Sequence, residues 1–82
     1  MNENQIRVLG VLITNSQKEA GKVQYTLTKY GCSLKTRLGI NIPDNKAGLM
    51  ILELTGNTGE MDYLQNALEK LEGVQVKSMV FD

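Results

Sequence analysis

The sequence predicts an α+β sandwich: a four-stranded antiparallel sheet in the spatial order 4-1-3-2, with two helices on one of its faces. Three observations carry this expectation. Apolar, β-rich runs and amphipathic stretches follow one another in the order strand-helix-strand-strand-helix-strand. The two strand-helix-strand halves are similar in length. Right-handed crossovers in both halves then interleave the strands into a single sheet.

Each element has its own signal. Ile6 to Thr14, IRVLGVLIT, is apolar on both alternating faces and interrupted by Gly10, the pattern of a central strand buried on both sides. The next stretch pairs Ser16 with Glu19 as a capping box and sets Ala20, Val23, Leu27 and Tyr30 on one stripe, which predicts a helix from about Gln17 to Tyr30 with Gly31 as its left-handed cap. Cys32 to Asn41 alternates Leu34, Thr36, Leu38 and Ile40 with Ser33, Lys35, Arg37 and Gly39, a strand with one polar side.

Pro43 has no amide to donate and Asp44-Asn45-Lys46 has turn chemistry, so the chain leaves the ladder there. GLMILELT, Gly48 to Thr55, is the returning strand, and Pro43 to Ala47 reads as the turn of a hairpin. After the loop Gly56 to Glu60, Asn57 or Thr58 caps a second helix whose apolar face is Met61, Leu64, Ala67, Leu68 and Leu71, with Gly73 as its stop. Val74 to Phe81, VQVKSMVF, closes the sheet. The whole is a ferredoxin-like βαββαβ sandwich, read as one domain over residues 1–82.

Such a sandwich leaves one sheet face bare. With Leu9, Val11, Ile13, Met50, Leu52 and Leu54 turned toward the helices, the bare face carries Val8, Leu12, Leu49, Ile51, Met79 and Phe81, fringed by Lys35, Arg37, Glu53 and Lys77. An apolar centre with a charged rim is the composition of a partner interface. Size argues the same way, because a chain of 82 residues buries only roughly 60–65% of its unfolded surface and is marginal without a staple. The single Cys32 closes no internal disulfide, which leaves homo-oligomerisation, as a dimer or a tetramer of dimers.

Composition excludes several chemistries. Nine basic and nine acidic residues cancel, so no electrostatic footprint for nucleic acid exists. Nor does any apolar run approach the about 20 residues that span a bilayer, and MNENQIRV lacks the basic start of a leader, so a soluble cytoplasmic protein is expected. There is no histidine, and the carboxylates Glu53, Glu60, Asp62, Glu69 and Glu72 are spread over different elements, so no metal set and no metal cofactor are expected. Cys32 lacks a histidine base and follows the negative end of a helix, which disfavours a nucleophilic role.

The remaining candidates are polar. Gly56-Asn57-Thr58-Gly59 precedes a helix N-terminus but no Lys or Arg follows, so it reads as a capped loop. The central strands lack the aromatic platforms that single-stranded RNA stacks on. Arg37 is, with Arg7, one of two guanidiniums in the chain. Its fork is suited to a carboxylate or phosphate ligand, or to a cross-strand pair with Glu53.

Three passages carry a family resemblance: the first strand with its polar Thr14-Asn15-Ser16 turn, the Arg37-Leu38-Gly39 strand end, and Leu71-Glu72-Gly73-Val74-Gln75-Val76-Lys77. By these the chain resembles the ACT-like iron-only hydrogenase system regulators, within the ferredoxin-like ACT superfamily. The resemblance implies a regulatory or ligand-sensing module, not an enzyme, assembled from several copies, with a small-molecule effector held between subunits near the first strand-helix turn. The candidate ligand residues are then Thr14, Asn15, Ser16, Arg37, Gly39 and Asn41. Asn15-Ser16-Gln17-Lys18 departs from the glycine-containing turn of amino-acid-binding ACT modules, and the histidines of their nickel-sensing relatives are absent. The alternative is a structural assembly domain that binds only other protein chains.

Overall fold

A computed structural model describes residues 5–14, 16–30, 34–42 and 47–81, the side chains of 16–18 and 40–42 excepted. Strand β1 (Ile6–Ile13), helix α1 (Ser16–Tyr30), strands β2 (Leu34–Ile42) and β3 (Ala47–Thr55), helix α2 (Thr58–Glu69) and strand β4 (Val74–Phe81) follow in the expected order. The sheet runs β2-β3-β1-β4, every neighbouring pair antiparallel, which from the other edge is 4-1-3-2. It is the ferredoxin-like arrangement.

Boundaries moved slightly. β1 stops one residue early, at Ile13, and the Thr14 amide makes one further bond in line with the β1–β4 ladder, to the carbonyl of Gly73. α1 begins at Ser16, while Asn15 and the Gly31-Cys32-Ser33 passage lie outside the described residues. β2 pairs with β3 from Leu34↔Leu54 to Ile42↔Ala47, so Ala47 belongs to the strand; residues 43–46 also lie outside the described set. A register shift between Leu34 and Thr36 marks a bulge in this edge strand.

The core lies between sheet and helices. Leu9, Val11 and Ile13 from β1, Leu52 and Leu54 from β3, Val23 and Leu27 from α1, and Met61, Leu64 and Leu68 from α2 form one buried cluster. Met50 packs against it from the same face. The alternation of buried and part-buried residues along β1 confirms the helix-side assignment made from the sequence.

α1 departs from its expected stripe. Val23, Leu27 and Tyr30 face inward, but Ala20 is exposed, and the buried line starts instead at Glu19 and includes Thr26. The Thr26 hydroxyl donates to the carbonyl of Lys22 at 2.9 Å, so a polar side chain is accommodated there by its own helix.

α2 is capped by Asn57, whose side-chain oxygen accepts from the amide of Glu60 at 3.2 Å. Gly73 then reverses the chain into β4 with φ +79. A Cβ there would stand 3.2 Å from both Cγ of Glu19 and Oγ1 of Thr14. Glycine is required on both counts.

Candidate functional site

The first strand-helix corner is held by backbone and side chain together. Thr14 donates twice to the carbonyl of Gly73, from its backbone N–H at 2.9 Å and its hydroxyl at 2.8 Å. Glu19, in the first turn of α1, is buried against the same glycine. Its Oε2 lies 3.5 Å from the Lys22 ammonium and makes no hydrogen bond to any described group. The β1–α1 and α2–β4 corners are thereby joined.

Of the six candidate ligand residues Asn15 lies outside the described set, and the other five divide between two places. Thr14 and the start of α1 at Ser16 lie at this corner, and Asn41, opposite Gly48 as Ile13 is, reaches the same end of the sheet. Arg37 does not. It sits opposite Leu52, which is opposite Leu9, so it is level with a residue five positions before Thr14. At the strand rise of about 3.3 Å per residue, that is roughly 16 Å along the sheet.

The register also corrects the face given to Arg37. It shares the helix side with Leu52 and is not on the fringe of the bare face. Glu53, its suggested cross-strand partner, points the opposite way, because neighbouring residues of a strand alternate. Arg37 instead donates from Nη2 to Oε1 of Gln24 on α1, at 2.8 Å, and both groups are exposed. Among the described residues no carboxylate pairs with it. Gly39 follows on the same face, and a Cβ there would meet nothing within 4 Å. A forked cation beside open backbone results.

The residues assigned to the bare face do share it. One row across the sheet is Thr36, Glu53, Val8 and Met79, and the next is Leu38, Ile51, Gly10 and Lys77. Leu12 with Leu49 and Ile6 with Phe81 extend it on either side. Leu38, Met79 and Phe81 are more than half exposed, and Val8, Leu12, Leu49 and Ile51 are half-buried only by their neighbours in the sheet.

Two further features had no sequence signal beyond helical spacing. A cavity of about 260 Å³ opens between the end of α1 and the start of α2, lined by Lys29, Tyr30, Glu60 and Tyr63. Arg7, buried on the helix side of β1, holds Asp62 at 2.8 Å, Gln65 at 2.9 Å and Gln5 at 3.1 Å. Residues 55 to 58 positions apart cannot be matched by local periodicity. Among the described residues no group of three or more Cys, Asp or Glu is placed to hold a metal, and no helix is long and apolar enough to cross a membrane.

An interleaved βαββαβ sandwich with a free sheet face and a tied first strand-helix corner defines a small ferredoxin-like α+β domain. The chain belongs to the TM1266-like family, described as "Iron-only hydrogenase system regulator, putative", whose model matches residues 5–78.

Among solved structures, protein TM1266 from Thermotoga maritima superposes with a TM-score of 0.88 at 19% identity, covering 98% of this chain and all of that one (100%). The regulatory subunit of aspartate kinase from Thermus flavus gives 0.55 at 15% identity, over 96% of this chain and 56% of that chain. Formyltetrahydrofolate deformylase from Burkholderia mallei gives 0.65 at 14% identity, over 94% of this chain and 28% of the longer enzyme. At these identities the likeness establishes the fold. No curated protein matches the chain significantly.

Proposed function

We propose that this chain is a non-enzymatic regulatory module that senses a small anionic effector and works as a homo-oligomer in the cytoplasm. Membership of a family described as a hydrogenase system regulator, over nearly the whole chain, is the observation that carries the reading. The family description supports control of an iron-only hydrogenase system as its context.

Arg37 supplies the chemistry for the effector. A guanidinium whose one described partner is the neutral amide of Gln24 keeps its charge available for a carboxylate or phosphate. Gly39 leaves room beside it for the rest of the molecule. Thr14, Asn15, Ser16 and Asn41 are the candidates for closing the site at the tied corner. Because that corner and Arg37 are separated along the sheet, a small ligand reaches both only if a second subunit brings one site's half to the other's.

The competing reading is an assembly domain with no small-molecule ligand, supported by the same bare apolar face. A thermal-shift panel of amino acids, nucleotides and small anions separates the two. A ligand that binds the folded chain raises the midpoint in proportion to the logarithm of its concentration. Silence across the panel favours assembly alone.

A further inference from the structure

We propose that Gly10 is the point at which a second copy of this chain closes on the free sheet face, with a two-fold axis along β1 and Glu53 of each copy paired to Lys77 of the other. The inference rests on the oligomeric part of the reading above and deepens it. Gly10 is the starting point. It occupies the middle of a central strand, where glycine is less favourable than alanine. Nothing within its own chain requires it, since its φ is outside the left-handed region and a Cβ would meet nothing within 4 Å. A strand glycine without an internal cause marks close approach from outside.

Its surroundings define what approaches. Gly10 lies between Ile51 and Lys77 across the sheet, with Val8 and Leu12 before and after it on the same face, so it forms the floor of an apolar dimple. A flexible charged chain or a stacked base has no complement there. Aliphatic side chains of another sheet do.

The charges on this face identify that sheet as a second copy. Among the described face residues Glu53 is the acid, Lys77 is the base on β4 and Lys35 stands at the edge-strand bulge beside Glu53, and neither Glu53 nor Lys77 has an ion-pair partner. They flank β1 on opposite sides, Glu53 opposite Val8 and Lys77 opposite Gly10, too far apart to pair within the chain. A two-fold axis along β1 lays β3 of one copy over β4 of the other. Glu53 then falls opposite Met79 of the second copy, one same-face position along β4 from Lys77, and the symmetric contact repeats on the far side. Aligned packing of two sheets about 10 Å apart accommodates this. Four strands about 4.8 Å apart and eight residues long give roughly 500 Å² in projection before side-chain relief is added. That is the scale of the about 800 Å² per partner that stable complexes bury.

The test is sedimentation velocity on the full chain across micromolar concentrations, with circular dichroism as the control for folding. Gly10→Val adds a β-branched residue that the isolated strand accepts, so it is expected to leave the chain folded and convert it to monomer. Glu53→Lys and Lys77→Glu are each expected to weaken association at least tenfold, and the doubly exchanged variant to restore it. A folded Gly10→Val that associates as tightly as the parent overturns the role of Gly10. Failure of the double exchange to restore association overturns the two-fold along β1. A parent chain that is monomeric throughout overturns the whole interface, whereas effector sensing stands or falls separately on the thermal shift of that same parent.

Discussion

Thr14 holds the carbonyl of Gly73 twice, through its amide at 2.9 Å and its hydroxyl at 2.8 Å, which ties the β1–α1 corner to the α2–β4 corner. Thr14→Val removes only the hydroxyl bond and should cost about 0.5–1 kcal/mol in urea denaturation, since that bond is exposed. Gly73→Ala meets both a positive φ and two atoms at 3.2 Å, and should cost about 2 kcal/mol or more. Equal costs for the two variants would mean that the hydroxyl, and not the glycine, organises the corner.

The Arg7–Asp62 pair is asymmetric: the guanidinium is buried, whereas the carboxylate side chain is 62% exposed. Arg7→Met exchanges a desolvated charge for apolar volume and should stay within about 1 kcal/mol of the parent. Asp62→Ala leaves the buried guanidinium with only neutral acceptors, Gln65 and Gln5, and its Nε already lacks a partner. It should destabilise by about 1–2 kcal/mol, less than for a fully buried pair because the carboxylate is solvated. The reverse order of stabilities in chemical denaturation would contradict this description.

Arg37 separates stability from function. Its bond to Gln24 is exposed, so Arg37→Ala should change the unfolding free energy by less than about 0.5 kcal/mol. The same substitution should abolish the midpoint rise given by any effector found in the parent. An undiminished rise would remove Arg37 from the site.

Metal and DNA should not bind the chain alone. Equilibrium dialysis is expected to find no stoichiometric nickel, zinc or iron, because the sequence holds no histidine and one cysteine. Retention on DNA that weakens steeply with salt would contradict the balance of nine basic and nine acidic residues.

What was legible in the sequence follows the range of each interaction. Strand alternation and helical stripes are local, so Leu9, Val11, Ile13, Leu52, Leu54, Met61, Leu64 and Leu68 were placed in the core from periodicity alone. The cap at Asn57 was legible for the same reason. Arg37 was placed on the wrong face because the bulge between Leu34 and Thr36 breaks the simple alternation of β2 near its start. Glu19 was read as half of a capping box, yet it is buried against Gly73, a contact between residues 54 positions apart that only the folded sheet brings together. The Arg7 network and the cavity beside Tyr30 and Tyr63 are invisible for the same reason.

Ile51 lies near the centre of the bare sheet face, opposite Gly10 and Leu38. Sedimentation equilibrium of the parent chain and of Ile51→Lys at micromolar concentration is the most direct test. The expected result is a dimer or tetramer for the parent and a shift toward monomer for Ile51→Lys, with a lower thermal midpoint, because the substitution places an unpaired charge in an apolar contact. A monomeric parent, or an Ile51→Lys variant with unchanged mass and midpoint, would contradict it.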